Sequence, residues 1–137
     1  MMRNLIIALT IFIGGCSTHN RIGIESYKKL DGEVARLTTS GQNNIIIKRD
    51  KGFFGSALKA NIYLDGEKKF TLKPGQYYQF TLTTGDYFIM LESAKGANLG
   101  TAFKRSLRIS IKDQSEKRHF RVFPMPMQGM VIEEISE

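Results

Sequence analysis

From residue 44 onward, apolar and polar residues alternate with a period of two, the pattern of a β-strand with one buried face. The run from Leu107 to Ile111 is the clearest case, because its three aliphatic residues are separated by Arg108 and Ser110. Residues 45–47 and 86–92 are apolar on both faces, which is typical of strands inside a sheet. Strands are predicted at residues 45–47, 60–64, 70–72, 78–82, 86–92, 107–111, 120–122 and 130–135.

Turn residues separate several of these strands. Asp65-Gly66 is a favoured pair for a two-residue type I′ hairpin loop, and Pro74-Gly75 suits a type II turn. Thr84-Gly85-Asp86 is predicted to close the next hairpin, so that four strands between residues 59 and 92 form a meander. Closely spaced short strands of this kind predict an all-β fold, a small antiparallel β-sandwich of about seven to eight strands at residues 44–137.

Length and composition limit the class of protein. The chain has 137 residues, which is enough for one domain. Its one cysteine excludes an internal disulfide. A single strongly apolar stretch, at the start of the chain, excludes a membrane protein with several spans.

The first 15 residues have the pattern of a secretory signal peptide. Arg3 provides the positive charge at the start, and the apolar run that follows, residues 5–13, is interrupted only by Thr10. Nine residues at about 1.5 Å each are too short for a helix that spans a hydrocarbon core of about 30 Å. Residues 1–15 are therefore predicted to be removed, which lowers the formal net charge of +7 by one because Arg3 is lost.

The end of this segment resembles the lipobox of bacterial lipoproteins. Ile13-Gly14-Gly15-Cys16 has an aliphatic residue, two small residues and the only cysteine of the chain. The resemblance implies that the Cys16 thiol receives a diacylglyceryl group, that cleavage follows Gly15, and that the new amino group takes a fatty acid such as palmitate. Ser17, in place of the Asp that commonly retains lipoproteins at the inner membrane, favours the periplasmic face of the outer membrane of a Gram-negative cell.

Residues 16–43 are predicted to connect this anchor to the folded domain. Ile24, Tyr27, Leu30, Val34 and Leu37 recur at spacings of three and four, which indicates a short helix packed on the domain. Gly32 and the shortness of the stripe leave two alternatives open, a flexible tether and an edge strand.

The turn pattern of the domain resembles that of a family of small bacterial lipoproteins of unknown function, and of PEGA-type β modules. The matching positions are Arg49, Phe54-Gly55-Ser56, Ile62-Tyr63, Asp65-Gly66, Leu72, Gly75, Tyr77 and Gly85. The chain departs from the family where Thr84-Gly85-Asp86-Tyr87 replaces Pro-Gly-x-His. The resemblance implies a β fold and an envelope location, and it carries no catalytic residue.

Residues that could perform chemistry are sparse. His19 is close to the anchor and His119 falls on a face predicted to be exposed, while the lipid occupies Cys16, so neither a metal site nor a cofactor is predicted. Ser56 follows Gly55, but the second glycine of a nucleophile elbow is missing. The sequence therefore predicts a protein that is not an enzyme.

Candidate contacts with a partner lie in two regions. Phe53 and Phe54, with Arg49 and Lys51 beside them, are predicted to form an apolar tip with a basic collar or to fold back over the end of the sandwich. The basic side chains of residues 104–121 are predicted to share an exposed face. Arg108 and Arg121 are the candidate partner contacts on this face. Nucleic acid is not expected as the partner, because the sequence contains no nucleic-acid-binding motif.

Three hypotheses for function follow. The first is a lipid-anchored, non-catalytic protein, held in the membrane through Cys16, that binds or supports another component of the envelope. The second is an accessory subunit of an envelope-spanning secretion or conjugation machine. The third is a hydrolase of cell wall or lipid, which would need carboxylates or histidines that converge in a cleft. The sequence leaves the oligomeric state open.

Overall fold

The computed structural model describes residues 26–30, 44–52, 57–93 and 103–136. Its strands are β1 (Lys28–Lys29), β2 (Ile45–Arg49), β3 (Ala60–Leu64), β4 (Glu67–Leu72), β5 (Gln76–Phe80), β6 (Gly85–Ser93), β7 (Lys104–Ile111), β8 (Arg118–Met125) and β9 (Gly129–Ile135). They form a five-stranded sheet in the order β1-β5-β2-β8-β9 and a four-stranded sheet in the order β4-β3-β6-β7. The prediction of an all-β sandwich is confirmed.

The core lies between the two sheets. Alternate residues of the longer strands point into it, and Ile45 and Ile47 of β2 belong to the same buried apolar cluster as Ile89 and Leu91 of β6. Aromatic rings join the sheets at one side, where Phe70 lies 4.7 Å from the ring of Tyr78, centroid to centroid. The two strands predicted to be internal, β2 and β6, do have a neighbour on each side.

The five-stranded sheet is mixed. Strands β2 and β5 are antiparallel, as are β8 and β9, but β2 and β8 run parallel, with Ile47 paired to Phe120. The predicted antiparallel sandwich is thus confirmed for most strand pairs, and the parallel pairs β2–β8 and β1–β5 are additions to it. Parallel strands need a long connection between them. Along the chain, the connection from β2 to β8 contains β5 and all four strands of the other sheet, so it is long enough.

The predicted meander is wrong, although its first hairpin is correct. Asp65 and Gly66 have φ angles of 49° and 82°, as a type I′ loop between β3 and β4 requires. After Pro74-Gly75, however, the chain crosses to the other sheet, where β5 pairs with β2, and β6 then returns to β3. Turn residues fix local geometry but do not determine which sheet the next strand joins.

The chain passes from one sheet to the other between β4 and β5 and again between β5 and β6. Arg49 of β2 and Asn44, which precedes β2, form hydrogen bonds to these two crossings. The buried guanidinium of Arg49 donates a hydrogen bond of 2.8 Å to the carbonyl of Leu72, and the Arg49 carbonyl accepts one of 3.0 Å from the N–H of Gly75. At the other crossing, the Asn44 amide both donates to the carbonyl and accepts from the N–H of Leu82, at 2.8 Å each. Strand β5 is thereby directed to β2, and the segment that leads on to β6 is fixed beside the start of β2.

Within residues 16–43, the structure describes only 26–30. Among the three alternatives for this region it has an edge strand, because β1 lies parallel to β5. The N–H groups of Lys28 and Leu30 donate to the carbonyls of Gly75 and Tyr77 at 2.8 Å. An unpaired sheet edge offers these acceptors, and this explains why residues 28–29 form a strand. Ile24, Val34 and Leu37 of the predicted helical stripe lie outside the described residues.

Candidate functional site

Residues 26–30, within the predicted tether, are held on the domain by a polar cluster. Tyr27 is buried, and its hydroxyl donates a hydrogen bond of 3.1 Å to Oδ1 of Asp50, directly after β2. Oδ2 of Asp50 accepts from Nε of Arg121 on β8 at 2.7 Å and from a second guanidinium nitrogen of the same residue. Nη1 of Arg121 lies 3.5 Å from a carboxylate oxygen of Glu133 on β9. Four elements thus meet at these side chains.

The electrostatics of this cluster favour a protonated phenol. Burial, together with the charge of Asp50, raises the pKa of Tyr27 to about 12. The hydrogen bonds that Arg121 donates to Asp50 raise the pKa of Arg121. The ammonium groups of Lys48 and Lys51 lie 5.5 and 5.8 Å from the centre of the Tyr27 ring, within the range of a cation–π attraction. The arrangement is suited to clamping residues 26–30 and offers no nucleophile.

The candidate contacts around the predicted basic collar separate in the structure. Arg49 is 1% exposed, so its prediction as a surface contact is wrong. It occupies the inward position that continues the series Ile45, Ile47, and is therefore part of the core. Lys51 is exposed, as predicted for the collar. Phe53 and Phe54 lie outside the described residues.

Arg108 and Arg121 lie on opposite sides of the sandwich. Arg108, on the outer face of the four-stranded sheet, has a side chain that is 66% exposed; it pairs with Asp86 at 3.1 Å and lies 6.0 Å from the ring of Phe88. Hydrogen bonds from Ser110 and Arg108 lower the pKa of Asp86. Arg121 belongs to the five-stranded sheet. The prediction of one continuous basic face is wrong, because β7 and β8 belong to different sheets.

A groove that sequence reasoning missed lies on the outer face of β3 and β4. It has a volume of about 530 Å³ and extends past the sheet edge to Gln76 and Leu30. Its floor is polar, because the hydroxyl of Thr71 donates to the Asn61 amide oxygen at 2.7 Å. Lysines make up the rest of its lining: Lys59, Lys68 and Lys73. Their clustering depends on the register of the hairpin, which the sequence pattern does not reveal.

A second groove, of about 550 Å³, lies where β8 begins and β9 ends. An ion pair crosses it, since Arg118 donates to both oxygens of Glu134 at 2.6 and 2.5 Å. Within residues 26–30, 44–52, 57–93 and 103–136, no group of three or more metal-ligating side chains comes together. In the same residues, no helix has the length and apolarity needed to cross a bilayer.

The predicted lipidation site, Cys16, and the cleavage position after Gly15 lie outside the described residues. Comparison with protein-family models, curated proteins and solved structures finds no match to this chain. Arguments about function therefore depend on the residues of the chain and on the geometry of its surface.

Proposed function

We propose that this chain is a lipid-anchored, non-catalytic protein of the cell envelope that binds or supports another envelope component. The observation that carries the proposal is the sequence Ile13-Gly14-Gly15-Cys16, which follows a charged and then apolar segment and contains the only cysteine. Two or three acyl chains on Cys16 would hold the protein in a membrane almost permanently, at about 0.8 kcal/mol per buried CH₂. Ser17 favours the outer membrane, with the domain in the periplasm.

The way in which residues 26–30 join the sandwich supports this proposal. A domain tethered at its first residue must remain close to its membrane, and ten residues separate Cys16 from Tyr27. Fully extended, they reach at most about 35 Å. Because Tyr27 and β1 are fixed to the domain, this short stretch sets the farthest distance that the sandwich can move from the bilayer.

The anchor is tested by intact-mass measurement of the protein purified from its own membranes. The expected species begins at Cys16 and carries the added mass of two or three acyl chains. Cys16→Ala should keep residues 1–15 and gain no acyl mass, whereas Ser17→Ala, the matched control, should still be cut and acylated. An unmodified wild-type chain that begins at another residue would refute the anchor.

The location is tested by separating inner and outer membranes of a Gram-negative host on a density gradient. The wild type and Ser17→Thr should be recovered with the outer membrane, and Ser17→Asp should remain with the inner membrane. Recovery of all three in one fraction would contradict the role proposed for position 17.

The supporting role is tested by crosslinking in cells, followed by affinity purification of wild type and Cys16→Ala. An envelope protein recovered in fixed proportion with the wild type, and reduced in the variant, is the expected result. A single such partner that belongs to a secretion or conjugation system would make the chain an accessory subunit. Recovery of lipid and abundant porins alone would count against a fixed partner.

A further inference from the structure

The groove between β3, β4 and the sheet edge has the chemistry of an anion site, and we propose that it binds a phosphate-bearing group. Three lysines line it, Lys59, Lys68 and Lys73. Within the described parts of the chain, none of them forms an ion pair, and the described lining includes no carboxylate. The three lysines are therefore not paired within the groove, although Glu92, which is hydrogen-bonded by Asn61 and pairs with Lys104, lies beside its floor.

Two of the lysines are adjacent because of an irregularity in the hairpin. From the pair Leu64 and Glu67, an unbroken register would set Lys59 opposite Leu72. The register shifts by one residue between Ile62 and Tyr63, so that Leu72 pairs with Ala60, and the next positions outward are Lys59 and Lys73. Bulges commonly re-aim side chains next to functional sites.

Like charges at facing positions of a hairpin destabilise it. A bound anion between Lys59 and Lys73 would convert this repulsion into attraction for both ammonium groups. An anion in the groove would therefore be attracted by both ammonium groups, and this favours a binding role.

The shape and the remaining groups indicate the class of ligand. A volume of about 530 Å³ exceeds that of a single phosphate and falls in the range of small-ligand sites. Lysine serves as a point charge for phosphate, without the planar fork by which arginine recognises carboxylates. Gln76 accepts from the N–H of Lys73 at 2.9 Å, and this hydrogen bond directs its amide N–H groups elsewhere, as donors for a sugar or glycerol hydroxyl. A phosphorylated headgroup or sugar matches this set.

A membrane is one source of such a group. Naming the membrane as the source rests on the lipid anchor proposed above, whereas the proposal of a phosphate-binding site does not. Leu30, which follows β1, lines the groove, so the groove borders the segment that leads back toward Cys16. The short connection would keep the lysines within reach of lipid headgroups.

The test uses the full chain in neutral-detergent micelles and follows the side-chain amide resonances of Asn61 and Gln76. The ligands are inorganic pyrophosphate, micelles doped with phosphatidic acid, and phosphatidylcholine as the neutral reference. Saturable shifts with either phosphate ligand support the site. A response to pyrophosphate alone identifies a soluble source, and a response to phosphatidic acid alone identifies a membrane source.

Variants of equal charge locate the effect. Lys59→Gln/Lys73→Gln should weaken binding about tenfold or more, whereas Lys112→Gln/Lys117→Gln, on the connection between β7 and β8, should leave it within about twofold. Equal weakening in both variants, or no saturable shift in the wild type, would overturn the proposal. Titration of the wild type tests the phosphate site even if a variant does not fold. The intact-mass measurement tests the lipid anchor at Cys16, so failure of one proposal can be distinguished from failure of the other.

Discussion

Tyr27 donates a hydrogen bond of 3.1 Å to Asp50, and this contact joins residues 26–30, within the predicted tether, to the end of the central strand β2. Asp50 is itself held by Arg121 from the neighbouring strand β8. The attachment of residues 26–30 thus depends on a side chain from each of three separate parts of the chain, in addition to the two backbone hydrogen bonds of β1.

We expect Tyr27→Phe to loosen β1 without unfolding the sandwich. The change removes one hydrogen bond and keeps the ring, so the free energy of local opening should fall by about 1 kcal/mol. Hydrogen exchange of the Lys28 and Leu30 amides measures this opening. In Tyr87→Phe, which removes a hydroxyl bonded to Thr83, these amides should keep their wild-type protection; equal loss in both variants would contradict the clamp.

The same contact should make stability depend on alkaline pH. An unfolded tyrosine titrates near its ordinary pKa of about 10, whereas burial beside Asp50 raises the pKa of Tyr27 to about 12. The folded state therefore holds this proton more tightly, so its stabilising contribution is complete below about pH 10 and is lost as the pH rises toward 12.

Urea unfolding of wild type and Tyr27→Phe at a series of alkaline pH values tests the effect. The difference between their free energies of unfolding should be constant below about pH 10 and shrink above it. The comparison cancels the titration of the other tyrosines. A difference that stays constant up to pH 12 would show that Tyr27 is not the group responsible.

Arg49 should be far more important for stability than an exposed arginine. Arg49→Ala leaves a cavity in the core and removes the donor to the buried Leu72 carbonyl, so we expect a loss of about 2–5 kcal/mol in the free energy of unfolding. Arg49→Lys retains the charge and most of the stem and should be intermediate. Arg108→Ala, at an exposed ion pair, should change stability by less than about 1 kcal/mol.

Denaturant unfolding of these three variants gives the comparison. A similar small loss for Arg49→Ala and Arg108→Ala would show that the crossing between the sheets does not depend on the buried guanidinium.

Alanine substitutions at Gly66 and Gly129 should distinguish the loss of stability caused by backbone strain from the loss caused by steric crowding. Gly66 and Gly129 have φ angles of 82° and 73°, where an L-residue costs about 1–2 kcal/mol. A Cβ at Gly66 meets no atom within 4 Å, but one at Gly129 would lie 2.5 Å from the Phe103 ring. Gly129→Ala should therefore reduce the melting temperature more than Gly66→Ala. Equal reductions would mean that Phe103 moves aside without cost.

Local features of this chain could be predicted from the sequence, because they depend on neighbouring residues. Alternation located the strands, and Asp65-Gly66 indicated the correct loop. The sheet to which each strand belongs depends on distant partners such as Asn44 and Leu82, which no local pattern links. The charge of Arg49 predicts an exposed side chain, but its position two residues after Ile47 places it on the inward face of β2.

The groove could not be predicted for a related reason. Because the ladder shifts by one residue between Ile62 and Tyr63, its last pair is Ala60 with Leu72, and the next residues outward are Lys59 and Lys73. Turn chemistry alone gives the unshifted register, which sets Lys59 against an apolar residue. A shift of one position is therefore enough to create or remove a cluster of charges.

The parallel pairing of β2 with β8 has a consequence for the order of folding. Ile45, near the start of the domain, finds its partner at Arg118, so the central strand of the larger sheet lacks one neighbour until most of the chain is present. Contacts so distant in sequence form slowly. The five-stranded sheet can therefore be completed only late in synthesis, after the residues of β8 and β9 have been added to the chain.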